Sequence, residues 1–170
     1  SALLRNNMQL ARPYLDTHLT ADSAERQTAL HEQEIQQRLQ LLAGVEAFSS
    51  LNQAELRELA ESLHDAPFIK GDVMTKQGAV AHWLYFLVQG EADVWLEVSN
   101  QPRRFLNTLQ AGSVFGEMGL LTGEPRRTTV TARTDALCYR LDKIGFQKII
   151  QARPEIAEEC ARTIAERERQ

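Results

Sequence analysis

The sequence predicts an α+β fold that is mainly β: an antiparallel sandwich or barrel of jelly-roll type, a β-roll set between helical segments at both ends. Three observations predict it. After Pro67, short apolar runs are broken by turn residues at close spacing, as in "FIKGDVMTKQG", "WLYFLVQGEADVWLEV" and "TTVTARTDALCYRLD". Within one run Ala92, Val94, Leu96 and Val98 alternate with Asp93, Trp95 and Glu97, the period of a half-buried strand. On either side of this region the apolar spacing is helical.

The elements follow in order. Residues 3–19 show a loose helical pattern that Pro13 interrupts. Asp22, with Glu25 three residues on, reads as an N-cap, and Leu30, Ile35, Leu39 and Leu42 trace an apolar stripe up to Gly44. Asn52 and Glu55 form a capping box for a further helix carrying Leu56, Leu59, Ala60 and Leu63 at i, i+3, i+4 and i+7. Turns in the roll fall at Gly71-Asp72, Gly78, Gly90-Glu91, Gly112-Ser113 and Thr134-Asp135. Asp142 caps a short helix with Phe146, Ile149 and Ile150 on its apolar face. Pro154 opens the last helix, as proline does at a first helical position, and Ile156, Cys160, Ala161 and Ile164 lie along one narrow face. Glutamates gather near its start and Arg167 and Arg169 near its end, which suits the helix dipole.

Composition narrows the function. The chain has 170 residues, 43% hydrophobic and 25% charged, enough for one well-buried domain with appendages. A net charge of −4 makes nucleic acid a poor expected partner. No apolar run reaches the ~20 residues of a membrane helix. Cys138 and Cys160 stand apart without metal-ligand spacing, which fits a reduced, cytosolic setting. The opening Ser1-Ala2, without a methionine, reads as a fragment of something longer.

One stretch carries the chemistry: "FGEMGLLTGEPRRTTV", residues 115–130. Gly116 and Gly119 each weaken a helix by roughly 1 kcal/mol relative to alanine. That cost makes sense where backbone amides must approach a ligand. A glycine-flanked turn running into a short helix presents unpaired N–H groups to an anion. Arg126, just beyond the turn, can reach back to the same anion with bidentate geometry. A carboxylate at Glu117 would be repelled by that anion unless it serves another group, and sugar hydroxyls are natural donors to it. Together these describe a nucleotide whose single phosphate lies close to its sugar.

This stretch resembles the phosphate-binding cassette of cyclic nucleotide-binding domains. Those domains occur in catabolite-activator-type regulators, regulatory subunits of cyclic-AMP-dependent kinase and cyclic-nucleotide-gated channels. The likeness runs from about Val45 to the end of the chain and includes "VEAFSSLNQAELRELAESL", "LYFLVQGEADV" and "LDKIGFQKII". It implies an eight-stranded β-roll with a C-terminal lid helix. Residues 1–44 would be a helical coupling segment and 45–170 the binding domain, with the roll at about 67–141 and the closing helices at about 142–170.

By the same resemblance, Glu117 would bind the ribose 2′-hydroxyl and Arg126 the cyclic phosphate. The amides of Gly116, Glu117 and Thr128 would help hold the phosphate, with Met118 beside them. Val94 and Leu106 would pack on the purine, and Arg162 or Ile164 would close over the base. Many cyclic-GMP sensors carry threonine or serine directly after the cassette arginine; here that residue is Arg127, which favours cyclic AMP over cyclic GMP while leaving Arg127 free to approach the ligand. Related bacterial channel domains place an arginine on the lid where this chain has Ala161, and Arg162 lies about 100° further around the helix.

"QARPEIAEE" and "CYRLDKIGFQ" are similar to the C-terminal domains of bacterial cyclic-nucleotide-gated and mechanosensitive-type channels. The implied partners are the nucleotide, an upstream channel or effector domain of the same chain and further copies of it. The implied place is the cytoplasmic side of an inner-membrane protein. The alternatives are a soluble nucleotide-responsive regulator, the regulatory domain of an enzyme, or a scaffold with a degenerate pocket. No metal is expected, because His18, His31, His64 and His82 lack ligand spacing, and no GxSxG, Walker lysine or Cys–His motif suggests an enzyme. Taken alone, Glu117 and Arg126 would read as an ion pair beside a turn, Val94, Leu106, Trp83 and Trp95 as packing residues, and Arg162 as the wet side of a helix.

Overall fold

The computed structural model describes the backbone of residues 2–169 and the side chains of residues 23–162 and 166. The chain divides into two compact units, Ser1–Arg38 and Leu39–Gln170. The first consists of helix α1, Ala2–Ala43, which continues a few residues into the second. One continuous helix thus replaces the two expected, and Asp22 lies inside it rather than capping it. Between Pro13 and Gly44 the sequence holds no glycine or proline and is rich in Ala, Leu, Gln, Glu and Arg, so nothing there stops helix propagation. Ile35 and Leu42 of the expected stripe are buried, whereas Leu30 is exposed.

In the second unit a 3-10 turn, Glu46–Phe48, drives Phe48 inward to within 5.8 Å of the Phe86 ring. Helix α2, Gln53–Ser62, starts on the expected box: Asn52 Oδ1 accepts from the Glu55 amide at 2.8 Å, and Glu55 Oε1 accepts from the Asn52 amide at 3.3 Å. Its Leu56, Leu59 and Ala60 are buried.

Eight strands make two antiparallel four-stranded sheets. The strands are β1 (His64–Phe68), β2 (Val73–Thr75), β3 (Trp83–Gln89), β4 (Ala92–Leu96), β5 (Arg104–Leu109), β6 (Val114–Phe115), β7 (Thr129–Ala132) and β8 (Ala136–Asp142). One sheet runs β1-β8-β3-β6 and the other β2-β7-β4-β5. Tyr85, Leu87, Phe115 and Cys138 from the first share a core with Met74, Ala92, Leu109 and Val130 from the second. Tyr85 and Phe115 stack at 5.1 Å, 7° from parallel. Fully burying a side chain such as Leu87, Met74 or Phe115 contributes about 1.5–3 kcal/mol.

Two boundaries differ from expectation. The roll opens at His64, ahead of Pro67, which sits inside β1 opposite Leu137. Because β1 is an edge strand, a proline there need not break a ladder. Val98 falls outside β4, which ends at Leu96. A turn closed by the Gln101 amide on the Val98 carbonyl at 3.2 Å, with Asn100 at φ 60, ends the alternation early.

The remaining elements are helices. Helix α3, Glu117–Thr122, lies between β6 and β7. Helix α4, Lys143–Ala152, is capped by Asp142, whose Oδ1 accepts from the Gly145 amide at 2.7 Å, and it buries Phe146. Helix α5, Glu155–Arg169, begins directly after Pro154 and buries Ile156 and Cys160. It rests on α3, α4 and the Glu46–Phe48 turn. Arg153, at the α4–α5 junction, donates two hydrogen bonds to Glu55, Nη2 to Oε1 at 2.8 Å and Nε to Oε2 at 3.1 Å.

Candidate ligand pocket

A cavity of about 610 Å³ opens between the β4–β5 sheet face and the segment from Phe115 to Thr128. That volume suits a small organic ligand. Local backbone rules shape its cassette end. Gly116 caps α3 at φ 88, the left-handed region that side chains resist. A Cβ there would also run into the Arg126 guanidinium, so no other residue fits without moving that arginine. Gly119 lets α3 press against Ala81; a Cβ at that position would collide with the Ala81 methyl. Both glycines therefore set close approaches as well as a turn.

Arg126 is fixed through its backbone and its head. Its amide donates to the Ala79 carbonyl at 2.9 Å, and its own carbonyl accepts from the Gly78 amide at 2.8 Å. In its guanidinium, Nη1 donates to the Gly116 carbonyl at 3.0 Å and Nη2 to the Trp83 carbonyl at 2.8 Å. The head also lies 5.9 Å from the Tyr85 ring centre. Burial pushes its pKa below the ordinary arginine value, and the charges of Tyr85 and Glu117 oppose that shift. Glu117 is buried at the start of α3 and lines the same cavity as Arg126.

A model of the cyclic nucleotide-binding domain matches residues 67–153. The chain belongs to the cyclic nucleotide-binding domain family. Its likeness to a cyclic nucleotide-gated potassium channel of Rhizobium etli is 35% identity over 128 residues, covering 75% of this chain and 34% of that protein. A cAMP-dependent protein kinase regulatory subunit of Blastocladiella emersonii is 31% identical over 109 residues, 64% of this chain and 27% of that protein. Among solved structures, a cAMP-bound PfPKA-R fragment superposes with a TM-score of 0.65 at 29% identity, covering 69% of this chain and 42% of that one. The chain spans about a third of the length of the curated channels it matches.

Most of the residues singled out in the sequence of this cyclic nucleotide-binding domain come together. Gly116, Glu117, Met118, Arg126, Arg127, Thr128, Val94 and Leu106 all line the cavity. Arg127 is the more exposed of the paired arginines, and its Nη2 donates to Glu124 Oε2 at 3.2 Å, in keeping with a strand-end charge. Arg162 does not line the cavity: it is exposed and donates to Glu159 Oε2 at 2.7 Å. No described residue of α5 lines the cavity, Ala161 included, so the place of the helix and not a one-residue rotation keeps Arg162 out. Ile164 lies on α5, but its side chain falls outside the described residues.

Three cavity features were not legible. Asn107 and Arg104 line the wall, Arg104 brought there by an irregularity in β5 that no composition rule signals. Trp83, read as packing only, uses its carbonyl to hold Arg126 while Arg140 stacks on its ring at 4.1 Å. Main-chain acceptors carry no residue signature, so sequence could not have found that role.

Proposed function

We propose that this domain binds a cyclic purine nucleotide, cyclic AMP ahead of cyclic GMP, and reports occupancy to an effector elsewhere in its own protein. One observation carries the reading: Glu117, Arg126 and the glycine-flanked start of α3 line a single cavity of nucleotide scale. The amides of Gly116, Glu117 and Thr128 with Arg126 take the cyclic phosphate, Glu117 takes the ribose 2′-hydroxyl, and Val94 and Leu106 take the base. Carbonyls of Gly116 and Trp83 use two of the guanidinium's N–H groups, and a guanidinium has five, so the head can stay anchored and still meet phosphate oxygens.

Transmission runs through α3. The anion draws the cassette together, α3 moves with it, and α5, packed on α3 and α4, follows. A ligand shifts that equilibrium only by its preference for the closed form. We take the effector to be a membrane channel, with this domain on the cytoplasmic side and arranged in several copies, on the likeness to the Rhizobium etli channel. The nucleotide is the only small ligand required, and no metal or catalytic step is involved.

Calorimetric titration of both nucleotides into wild type and Arg126→Ala tests the reading. Charge-assisted phosphate contacts are worth about 1.5–3 kcal/mol, so affinity should fall roughly 10- to 150-fold in the variant. No heat with either nucleotide at high micromolar wild-type protein would instead assign a scaffold with a degenerate pocket.

A further inference from the structure

We infer that Arg104 reads the edge of the purine and pulls selectivity toward bases that present a carbonyl at the six position. This rests on the nucleotide reading above. The register of the β4–β5 pair places Val94 opposite Asn107, Trp95 opposite Phe105 and Leu96 opposite Arg104, so Leu106 is an extra residue bulged out of the ladder. A regular strand would keep Phe105 on the face of Asn107 and send Arg104 to the opposite face. The bulge reverses this. Phe105 packs edge-on against Trp95 at 5.5 Å while still bordering the cavity, and the register puts Arg104 on the Val94 and Asn107 side of the cavity wall.

Charge accounting then isolates Arg104. Of the cavity's other cations, Arg126 is anchored on two carbonyls and Arg127 is paired with Glu124. Arg104 lines the cavity and makes no hydrogen bond, ion pair or ring contact among the described residues. The phosphate has its donors at the cassette end, so the free guanidinium on β5 meets whatever lies on the apolar wall of Val94 and Leu106. For a nucleotide, that is the base.

Guanine and hypoxanthine offer two adjacent acceptors, O6 and N7, which a guanidinium engages in bidentate fashion. Adenine replaces O6 with an amino donor and leaves one acceptor. Arg104 therefore supplies a guanine-favouring contact at the base edge, which narrows the preference for cyclic AMP that Arg127 sets in place of a hydroxyl without reversing it.

The test titrates cyclic AMP, cyclic GMP and cyclic IMP into wild type, Arg104→Ala and Arg104→Lys, with unfolding curves to show that the exposed substitutions leave the fold intact. Expected is a loss of about 5- to 150-fold for cyclic GMP and cyclic IMP in Arg104→Ala, with cyclic AMP changed less than about two-fold. Lysine, a point charge without the fork, should recover only part of the loss. Equal losses for all three nucleotides would reassign Arg104 to general attraction of anions, and no loss for any would remove it from the site; either result overturns this inference alone. A wild type that binds none of the three overturns the sensor reading and this inference together.

Discussion

Replacing Gly116 by alanine should destabilise the domain chiefly through Arg126, and a double-mutant cycle isolates that part. At φ 88 an alanine incurs left-handed strain of about 1–2 kcal/mol. Its Cβ would also occupy the space of Arg126 Nη1, with the Trp83 carbonyl a further 3.1 Å neighbour. Moving the guanidinium away breaks its 3.0 Å bond to the Gly116 carbonyl and disturbs the 2.8 Å bond to Trp83. Hydrogen bonds from a charged group contribute about 1.5–3 kcal/mol. Gly116→Ala should therefore cost about 3–5 kcal/mol in the native background and only about 1–2 kcal/mol beside Arg126→Ala, where the collision is gone. Urea unfolding of the four proteins without nucleotide measures both values, and the coupling is their difference. Equal costs in the two backgrounds would refute the claim that Gly116 is required because of Arg126 and leave backbone strain as its sole reason.

Three further outcomes follow from other parts of the domain. Arg153 donates to Glu55 and holds its carboxyl below the ordinary glutamate range, with burial pulling the other way. The stabilisation from that lowered value is complete above the unfolded glutamate pKa of about 4.3 and is lost as pH falls through the lower folded value; Glu55→Gln should flatten this part of the urea midpoint between pH 6 and pH 3. Burial pushes the Cys138 thiol up to about 12, so a thiol reagent at pH 8 should label Cys138 only at the rate of unfolding, and fast labelling in folded protein would contradict its place in the core. Phe86→Ala removes a fully buried ring packed on Phe48, and should lower stability by about 3–5 kcal/mol in chemical unfolding without changing the denaturant slope.

The elements that local chemistry specifies were the legible ones. Asn52 and Glu55 announce α2 because a capping box satisfies orphan amides within four residues, and Asp142 announces α4 for the same reason. That Gly116, Glu117 and Arg126 gather at one cavity was legible because a glycine, an acid and an arginine at that spacing have few joint explanations. What escaped was decided by partners distant in sequence. Pro67 reads as a breaker until β1 proves to be an edge strand. Leu106 was expected to face the purine, and the bulge it creates, which swings Arg104 onto the cavity face, exists only once β4 is alongside. Arg162 was expected to close the pocket, but no described residue of α5 borders the cavity.

Glu55 serves two structures at once. It accepts from the Asn52 amide to complete the start of α2, and it receives both donors of Arg153 across 98 residues of sequence. The protection of one main-chain amide is thereby tied to the posture of a joint that is remote in sequence but lies directly against it. Any swing that draws Arg153 away loosens that carboxylate, so deuterium uptake at Asn52 becomes a built-in reporter of how the terminal helices stand.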